Sequence, residues 1–226
     1  MNPDAGTGTL QGNVLLLADE SFVQYALYAA DATVTADGAS GSPVTAAWHG
    51  AGLDPDPFLL EGVAKLAVNW VSVQPAQVGG EAMLTYQAVP TNQGSNLNGL
   101  LVSSAILDSV FTFASTLRSP DSGQVILFFR SAGTGVPLPG LHVSMAKAQV
   151  AMYATASGWV LDDGTAVTDK SGLVMFGNVE PANAGGMQTV IVTRAATGTT
   201  PAAAAGQFPV KVVKAAATIA GIDVQL

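Results

Sequence analysis

Cysteine is absent from this chain of 226 residues, and charged residues make up only 11% of it. The lack of cysteine excludes disulfides, thiolate zinc sites, iron–sulfur clusters and cysteine nucleophiles. The low charge leaves Thr, Ser, Asn, Gln and Gly to cover the surface, whereas intracellular enzymes usually carry more charge. These two absences favour a protein class that needs neither thiol chemistry nor a highly charged surface.

Basic residues are scarce, and long apolar runs are missing. The 8 Lys and Arg stand against 16 Asp and Glu, and the net charge of −8 repels phosphate backbones and anionic lipid. We therefore expect no nucleic-acid partner. No apolar run reaches the ~18 residues that a membrane-spanning helix needs, since Ser, Thr and Asp interrupt the longest candidate at 100–117. We expect no transmembrane segment.

The N-terminal residues 1–9, MNPDAGTGT, have neither the basic nor the apolar region of a signal peptide. Small and polar residues of this kind follow the lipid-bearing cysteine of bacterial lipoproteins, and they also occur in ordinary disordered N-termini. Under the first hypothesis the native protein has an N-terminal lipid anchor and lies in the cell envelope or outside the cell. Under both hypotheses residues 1–9 form a flexible segment.

Short segments rich in Val, Thr and aromatic residues recur along the chain, separated by Gly, Pro, Asn and Asp. This pattern is typical of an all-β sandwich or barrel. In the last segment Ile222, Val224 and Leu226 alternate with polar residues, as they do on the two faces of a strand. The predicted strands cover residues 12–17, 30–36, 44–50, 57–63, 69–75, 123–129, 142–154, 173–179, 188–194, 208–214 and 222–226.

One stretch has helical rather than strand periodicity. Apolar residues at spacings of three and four would form one continuous stripe on a helix, with Ser103 or Ser104 at its start and Pro120 beyond its end. We expect this stripe to be buried. Its members are Val102, Ile106, Val110, Phe113 and Leu117.

The two halves of the chain show weak similarity in the same order. In each half a Gly-x-Val strand is followed by a second strand with valines, a turn before an aromatic residue, and a Val-rich strand. This order indicates a duplicated module with a helical insertion. The predicted boundaries are 10–95 for the first β-sandwich module, 96–120 for the helix and linker, and 121–226 for the second module.

Four phrases in the second half carry a family resemblance. They are Gly123–Val125, Pro137–Gly140, Thr168–Gly172, and Phe176 followed by Asn178, Val179 and Pro181. Together they resemble the carboxypeptidase regulatory-like, or transthyretin-like, β-sandwich family, closely over 121–195 and loosely over 10–75. The resemblance implies a mainly β fold of two Ig-like or transthyretin-like sandwich modules with one inserted or linking α-helix. It also implies that the modules are not catalytic by themselves.

The residues that catalysis would need are missing or isolated. His49 and His142 lie far apart and outside any zinc-ligand spacing, and neither a Gly-x-Ser-x-Gly elbow nor a phosphate-binding loop is present. We therefore expect no enzyme activity, no catalytic residue and no cofactor.

Two carboxylates are the candidates for a metal site. Asp54 and Asp56 alternate with Pro55 and Pro57 in a stiff loop, which could hold Ca²⁺ if backbone carbonyl groups completed its ligands. The alternative is an ordinary proline-rich turn. The turn is the favoured interpretation.

Three tryptophans, Trp48, Trp70 and Trp159, could stack against sugar rings if they were exposed. Trp159 follows Gly158 and precedes a turn, so it is the candidate ligand-binding residue. The alternative is that all three are buried, as tryptophans in sandwich cores usually are.

A covalent cross-link was also considered for the second half. The Thr-Asp-x-x-Gly turn is found in collagen-binding-protein B-type domains of surface pilins, which carry an intramolecular isopeptide bond. Lys147 and Asp223 would form that bond here, but the strand at 188–194 offers no carboxylic acid to assist it.

The leading functional hypothesis is a non-catalytic cell-envelope or secreted protein that binds or adheres to a protein or polysaccharide at the cell surface. A second hypothesis is a structural subunit of a surface assembly or filament built by β-strand pairing, because few lysines protect the sheet edges. A third is a carbohydrate-binding accessory module.

Overall fold

The computed structural model describes residues 7–52, 55–65, 68–77, 79–90, 96–182, 186–196 and 202–225. The chain divides into two compact units, Met1–Ile106 (unit 1) and Leu107–Leu226 (unit 2). The fold is mainly β, with several sheets and one helix among the described residues. No helix in those ranges is long and apolar enough to cross a membrane.

Unit 1 is built from short strands. Two of its sheets have the strand orders β3-β2-β10-β8 and β9-β7-β4-β5, and β1 pairs with β6. The strands are β1 (Thr7–Gly12), β2 (Val14–Leu17), β3 (Tyr25–Leu27), β4 (Ala32–Ala36), β5 (Val44–Trp48), β6 (Phe58–Ala64), β7 (Val68–Pro75), β8 (Ala82–Met83), β9 (Thr85–Pro90) and β10 (Gly99–Ser103).

The core of unit 1 follows from strand alternation. In β7 every second residue is buried, which leaves the residues between them on the opposite face. The large core side chains come from several strands and include Trp48, Phe58, Leu60, Val71 and Leu101.

Unit 2 contains two sheets, with the strand orders β14-β13-β15-β11-β18 and β12-β16-β17. Its first strand β11 pairs in parallel with its last strand β18, while the remaining pairs are antiparallel. The strands are β11 (Gly123–Ser131), β12 (Leu141–Met145), β13 (Val150–Thr155), β14 (Gly158–Leu161), β15 (Leu173–Val179), β16 (Met187–Arg194), β17 (Ala203–Lys211) and β18 (Ala217–Val224).

The helix α1 covers Ser104–Phe113, and its buried residues are Leu107, Val110 and Phe111. The predicted stripe is therefore wrong at three of its members: Val102 belongs to β10, Phe113 is 46% exposed at the end of the helix, and Leu117 is 87% exposed after the helix has ended. Apolar residues occur in this stretch at spacings of both three and four, so the sequence was compatible with two different buried stripes. In the structure the buried stripe is the one that contains Leu107 and Phe111.

Most predicted strands are present, with some differences in their bounds. The predicted strand 142–154 is in fact two strands, β12 and β13, separated by a turn at 146–147. Residues 7–9 of the expected flexible segment belong to β1, while residues 1–6 lie outside the described ranges. Ile222 and Val224 alternate with the exposed Asp223 in β18, as the predicted period of two requires, and both are buried, while Leu226 lies outside the described ranges.

The phrases that carried the family resemblance lie together in unit 2. Gly123 pairs with Val179 across β11 and β15. The Thr168 hydroxyl donates to the Leu138 carbonyl at 2.7 Å and accepts from the Leu141 backbone at 3.0 Å, which links the Thr-Asp-x-x-Gly turn to the Pro-x-x-Gly segment. Residues of different phrases thus contact one another within unit 2.

Candidate functional site

The two histidines do not form a shared site. His49 lies in unit 1 with Nδ1 at 3.3 Å from Asp31 Oδ1, and both side chains are exposed. His142 lies on β12 in unit 2 with Nε2 at 3.6 Å from Asp162 Oδ2. Among the described residues each imidazole therefore pairs with one carboxylate, and the two pairs lie in different units.

The candidate calcium residues are only partly described. Asp54 lies outside the described residues, and Asp56 is exposed beside Pro55 and Pro57. Within the described ranges no group of three His, Asp or Glu side chains is arranged to hold a metal ion. The calcium assignment stays a prediction.

Trp159, the candidate ligand-binding residue, lies on β14 and is only 6% exposed. The expectation that its indole is at the surface was wrong, because the side chain packs inward from this short strand. Trp48 is fully buried, and its indole N–H donates to the Tyr28 carbonyl at 3.2 Å. These two indoles offer little surface for stacking a sugar, although the assignment of Trp159 itself stays a prediction.

The pair considered for an isopeptide bond is not brought together. Lys147 Nζ lies 3.0 Å from Glu180 Oε2, and Asp223 Oδ1 lies 3.0 Å from Arg130 Nη2 across the parallel pair β11 and β18. Each of the two residues therefore has a different ionic partner.

Two edge strands, β12 in unit 2 and β3 in unit 1, differ in how their outward-pointing backbone groups are satisfied. On β12 the Leu141 N–H donates to the Thr168 hydroxyl at 3.0 Å, and the Thr168 backbone N–H donates to the Leu141 carbonyl at 2.8 Å. Val143 is the next residue of β12 whose backbone groups point away from the neighbouring strand. Its N–H donates to the Tyr153 hydroxyl at 2.8 Å, and its carbonyl accepts from the same hydroxyl at 2.9 Å. This edge is closed by hydrogen bonds from within unit 2.

Within the described part of the chain, the outer edge of β3 in unit 1 is open. The Gln24 carbonyl accepts from Ala18 and the Tyr28 N–H donates to Val14, so both residues face β2. Successive residues of a strand point their backbone groups in opposite directions. The N–H and carbonyl groups of Tyr25 and Leu27 therefore point away from β2, and β3 is the last strand of its sheet.

An apolar stripe accompanies this open edge. Val23, Tyr25 and Leu27 are 60%, 62% and 40% exposed, and their spacing of two places them on one face. We call these three residues the β3 stripe. This stripe was not predicted from the sequence. The alternation in VQYAL, residues 23–27, extends over too few residues to indicate a strand by itself.

Asp19 fixes the turn that leads into β3. Its carboxylate accepts hydrogen bonds from the backbone of Ser21 at 3.3 Å, Val23 at 3.2 Å and Gln24 at 2.9 Å, and from the Ser21 hydroxyl. Desolvation alone would raise the pKa of Asp19, but these hydrogen bonds outweigh it and lower the pKa below the usual value. The turn is thus held by an ionised carboxylate.

Charge and proline, which commonly protect sheet edges, are missing from several terminal strands. Within the described residues β3, β5 and β14 end their sheets and contain no charged residue and no proline. By contrast, β17 contains Pro209 and Lys211. Unprotected edges are sites where another chain can add a strand.

The net charge is divided unevenly between the units. Unit 2 has equal numbers of acidic and basic residues, so the whole net charge of −8 falls in unit 1, where Lys65 is the single basic residue. Two copies of unit 1 therefore repel one another, whereas unit 1 and unit 2 of different copies do not.

No family model and no curated protein matches the chain. Solved structures with similarity to it include the shaft pilin SpaA from Lactobacillus rhamnosus GG, at 13% identity and a TM-score of 0.27 over 95% of this chain and 97% of that chain. The group B streptococcus pilus 2b backbone protein is 9% identical with a TM-score of 0.27, over 97% of this chain and 84% of that chain. A variant of BcpA, the major pilin subunit of Bacillus cereus, is 10% identical with a TM-score of 0.27, over 98% of this chain and 71% of that chain. Similarity this low carries no argument about the present chain.

Proposed function

We propose that this chain is a non-catalytic structural subunit of a bacterial cell-surface assembly, built by β-strand pairing between copies. The observation that carries the proposal is the open edge of β3, with the outward backbone groups of Tyr25 and Leu27 and the exposed β3 stripe. Added strands satisfy such backbone groups and bury such side chains.

The partner in this proposal is a second copy of the chain. Repulsion between two acidic copies of unit 1 disfavours contacts of β3 with itself, and the neutral unit 2 has no such penalty. In unit 2 the terminal strand β14 exposes Val160 and Leu161. We assign β14 of a second copy as the strand that pairs with β3.

A contact between two different surfaces of the same protein is heterologous. Such contacts generate either rings or open filaments, depending on whether the rotation closes. The pairing of β3 with β14 therefore predicts an assembly that grows with concentration beyond a dimer.

Unit 2 is proposed to be a carboxypeptidase regulatory-like, transthyretin-like domain. The contacts between the Thr-Asp-x-x-Gly turn and the Pro-x-x-Gly segment support this assignment, because they give each phrase a structural role. The location at the cell surface is part of the same proposal and is supported by the low charge of the chain.

Sedimentation velocity over a concentration series, with electron microscopy of the same samples, tests the proposal. We expect the wild-type chain to form species larger than dimers as its concentration rises. The double variant Tyr25→Lys, Leu27→Lys should stay monomeric, because two ammonium groups on the β3 edge would have to be desolvated on pairing.

Ile191→Lys is the matched control. Ile191 is 42% exposed like the members of the β3 stripe, but it lies on β16, in the middle of its sheet, where no strand can be added. This variant should assemble as the wild type does. A wild-type chain that stays monomeric throughout, or a double variant that still assembles, would overturn the proposal.

A further inference from the structure

A cleft of about 430 Å³ opens on unit 1 and is built from three separate segments, none of which contains a residue of the β3 stripe. We call it the amide cleft, because four carboxamide side chains line it together with two prolines. They are Gln11, Asn13, Asn96, Asn98, Pro55 and Pro57.

Two of the segments run side by side. The Leu97 N–H donates to the Gln11 carbonyl at 2.8 Å, and the Gly99 N–H donates to the Asn13 carbonyl at 2.9 Å. Their close approach depends on Gly12, where a Cβ atom would lie only 1.9 Å from the Leu97 carbonyl oxygen. The backbone therefore fixes the relative positions of the side chains on these segments.

The four carboxamides form two neighbouring rows. Leu97 is buried, so Asn96 and Asn98 on either side of it point to the opposite, outer face. Gln11 lies beside Asn96 in a parallel bridge, and the row continues with Asn13. Rows on adjacent segments are roughly 4.8 Å apart.

Much of the hydrogen-bonding capacity in the amide cleft is unused. Gln11 Nε2 donates to Asn96 Oδ1 at 3.0 Å, and Asn98 Oδ1 accepts from the Asn13 backbone at 3.2 Å. Among the described residues no further partner is present for Gln11 Oε1 or for the side-chain NH₂ groups of Asn96 and Asn98. Both donors and acceptors thus remain, on groups that the backbone holds in place.

We propose that the amide cleft binds an uncharged oligosaccharide. A carboxamide offers a donor and an acceptor side by side, as a sugar hydroxyl does, so each can bond to neighbouring hydroxyl groups. Among the described residues that line the cleft none is basic, which argues against phosphate or carboxylate ligands. The rings of Pro55 and Pro57 supply apolar surface for the C–H face of a pyranose.

This site is distinct from the β-strand pairing proposed above and adds a binding activity to the assembled subunit. It also differs from the sequence-based candidate, since Trp159 takes no part in it. A second, separate cavity of about 340 Å³ shares Pro55 and Pro57 with the amide cleft and is lined in addition by His49 and Asp56.

Nuclear magnetic resonance titration tests the proposal. The ¹⁵N-labelled Tyr25→Lys, Leu27→Lys variant of the full chain is used, because it is expected to stay monomeric and so to make the outcome independent of assembly. Maltotriose, cellotriose and tri-N-acetylchitotriose are added separately, with inorganic phosphate as the charged comparison. At least one sugar should give saturable shifts in residues 11–13 and 96–98 and in the side-chain NH₂ signals of Gln11 and Asn96, whereas phosphate should give none.

Variants in the amide cleft connect the shifts to the carboxamides. Gln11→Ala with Asn96→Ala should weaken sugar binding about tenfold or more through the loss of two or more hydrogen bonds. Asn96→Asp keeps the size of the side chain but removes its NH₂ donor, so it should also weaken sugar binding. This single variant tests the same carboxamide if the double variant is poorly folded. Gln207→Ala, an exposed amide on β17, should change nothing.

Two results would overturn the proposal. One is the absence of saturable shifts with all three sugars. The other is a sugar affinity that stays the same in the Asn96→Asp variant.

Discussion

Asn178 and Gln124 bond to each other across two neighbouring strands of unit 2: the Asn178 backbone N–H donates to Gln124 Oε1 at 2.9 Å, and Gln124 Nε2 donates to Asn178 Oδ1 at 3.5 Å. The register of β11 and β15 shifts between Gly123 and Val125, at the position of Gln124. Asn178 has a φ of 50°, in the left-handed region that Asn tolerates better than most residues. The Gln124 side chain therefore satisfies the Asn178 N–H at this irregular pairing, and its amide NH₂ donates in return to the Asn178 side chain.

The same Asn178 side chain holds the segment that follows α1. Its Oδ1 accepts from the Ser119 backbone at 2.7 Å, and its Nδ2 donates to the Leu117 carbonyl at 2.8 Å and to Gln149 Oε1 at 2.7 Å. Asn178 is 7% exposed, so the loss of its carboxamide would leave several of these groups with few alternatives.

Asn178→Ala should lower the free energy of unfolding by about 3 kcal/mol, because partners in the interior lose their hydrogen bonds and Ala is disfavoured at a positive φ. Urea unfolding measures the loss. Asn178→Gly is the matched variant: it removes the same carboxamide but relieves the backbone, so it should be about 1 kcal/mol more stable than the alanine variant. Stabilities of both variants close to that of the wild type would show that the carboxamide contributes little.

The sequence predicted the strand that contains Asn178 but not its partners. LVMFGNV is a short apolar run between the turn at Gly172 and Pro181, and these are local signals that need no knowledge of the rest of the chain. Gln124 and Gln149 are 54 and 29 residues away from Asn178, and nothing in their local sequence indicates which strand each will meet. The position of this strand was therefore predictable, whereas its polar contacts with other parts of the chain were not.

The amide cleft and the open edge of β3 were missed for related reasons. The cleft depends on three segments that meet only in the fold, and Asn and Gln on their own are typical of turns. The edge of β3 depends on which strand ends the sheet, which is a property of topology. Trp159 shows the opposite error, because local sequence placed at the surface a side chain that tertiary packing buries.

Tyr153→Phe should destabilise unit 2 by about 2 kcal/mol at neutral pH. The hydroxyl of Tyr153 both donates to and accepts from the backbone of Val143, which is fully buried, and phenylalanine leaves both backbone groups without this partner. Tyr25→Phe, which changes an exposed tyrosine, is the control and should leave the urea midpoint unchanged.

Tyr153 should also make the wild-type chain sensitive to alkaline pH. Burial raises the pKa of Tyr153 to about 12, with the Asp162 carboxylate adding to the rise and the hydrogen bond from Val143 opposing it. A group whose folded pKa is raised stabilises the fold below its unfolded pKa of about 10, and this contribution is lost as the pH rises from there to about 12. Urea unfolding across this range should show a decline in the wild type that is smaller in Tyr153→Phe. Equal declines in the two proteins would contradict the assignment.

Asp19→Asn should weaken the turn before β3. The carboxylate accepts from the Val23 and Gln24 N–H groups through Oδ1 and from the Ser21 N–H through Oδ2, and an amide has a single oxygen to replace these two. Because the folded pKa of Asp19 is lowered, the stabilisation is fully present above the ordinary aspartate pKa of 3.8 and is lost as the pH falls through the folded pKa. The difference in unfolding free energy between wild type and Asp19→Asn should therefore shrink at acidic pH. Glu61→Gln, which removes an exposed carboxylate of the same unit, is the matched control for the change of charge.

Gly172→Ala separates two reasons for a glycine in the Thr-Asp-x-x-Gly turn. Gly172 has a φ of +65°, and a Cβ atom there would lie 2.3 Å from the Phe129 carbonyl oxygen, which is backbone and has little freedom to move. Gly140 has a φ of +79° but no atom within 4 Å of its Cβ position, so Gly140→Ala measures the backbone strain alone. We expect about 1 kcal/mol of destabilisation for Gly140→Ala and about 3 kcal/mol or more for Gly172→Ala in urea unfolding. If the two variants lose the same stability, the close approach of Phe129 is not what requires glycine in this turn, and the positive φ suffices.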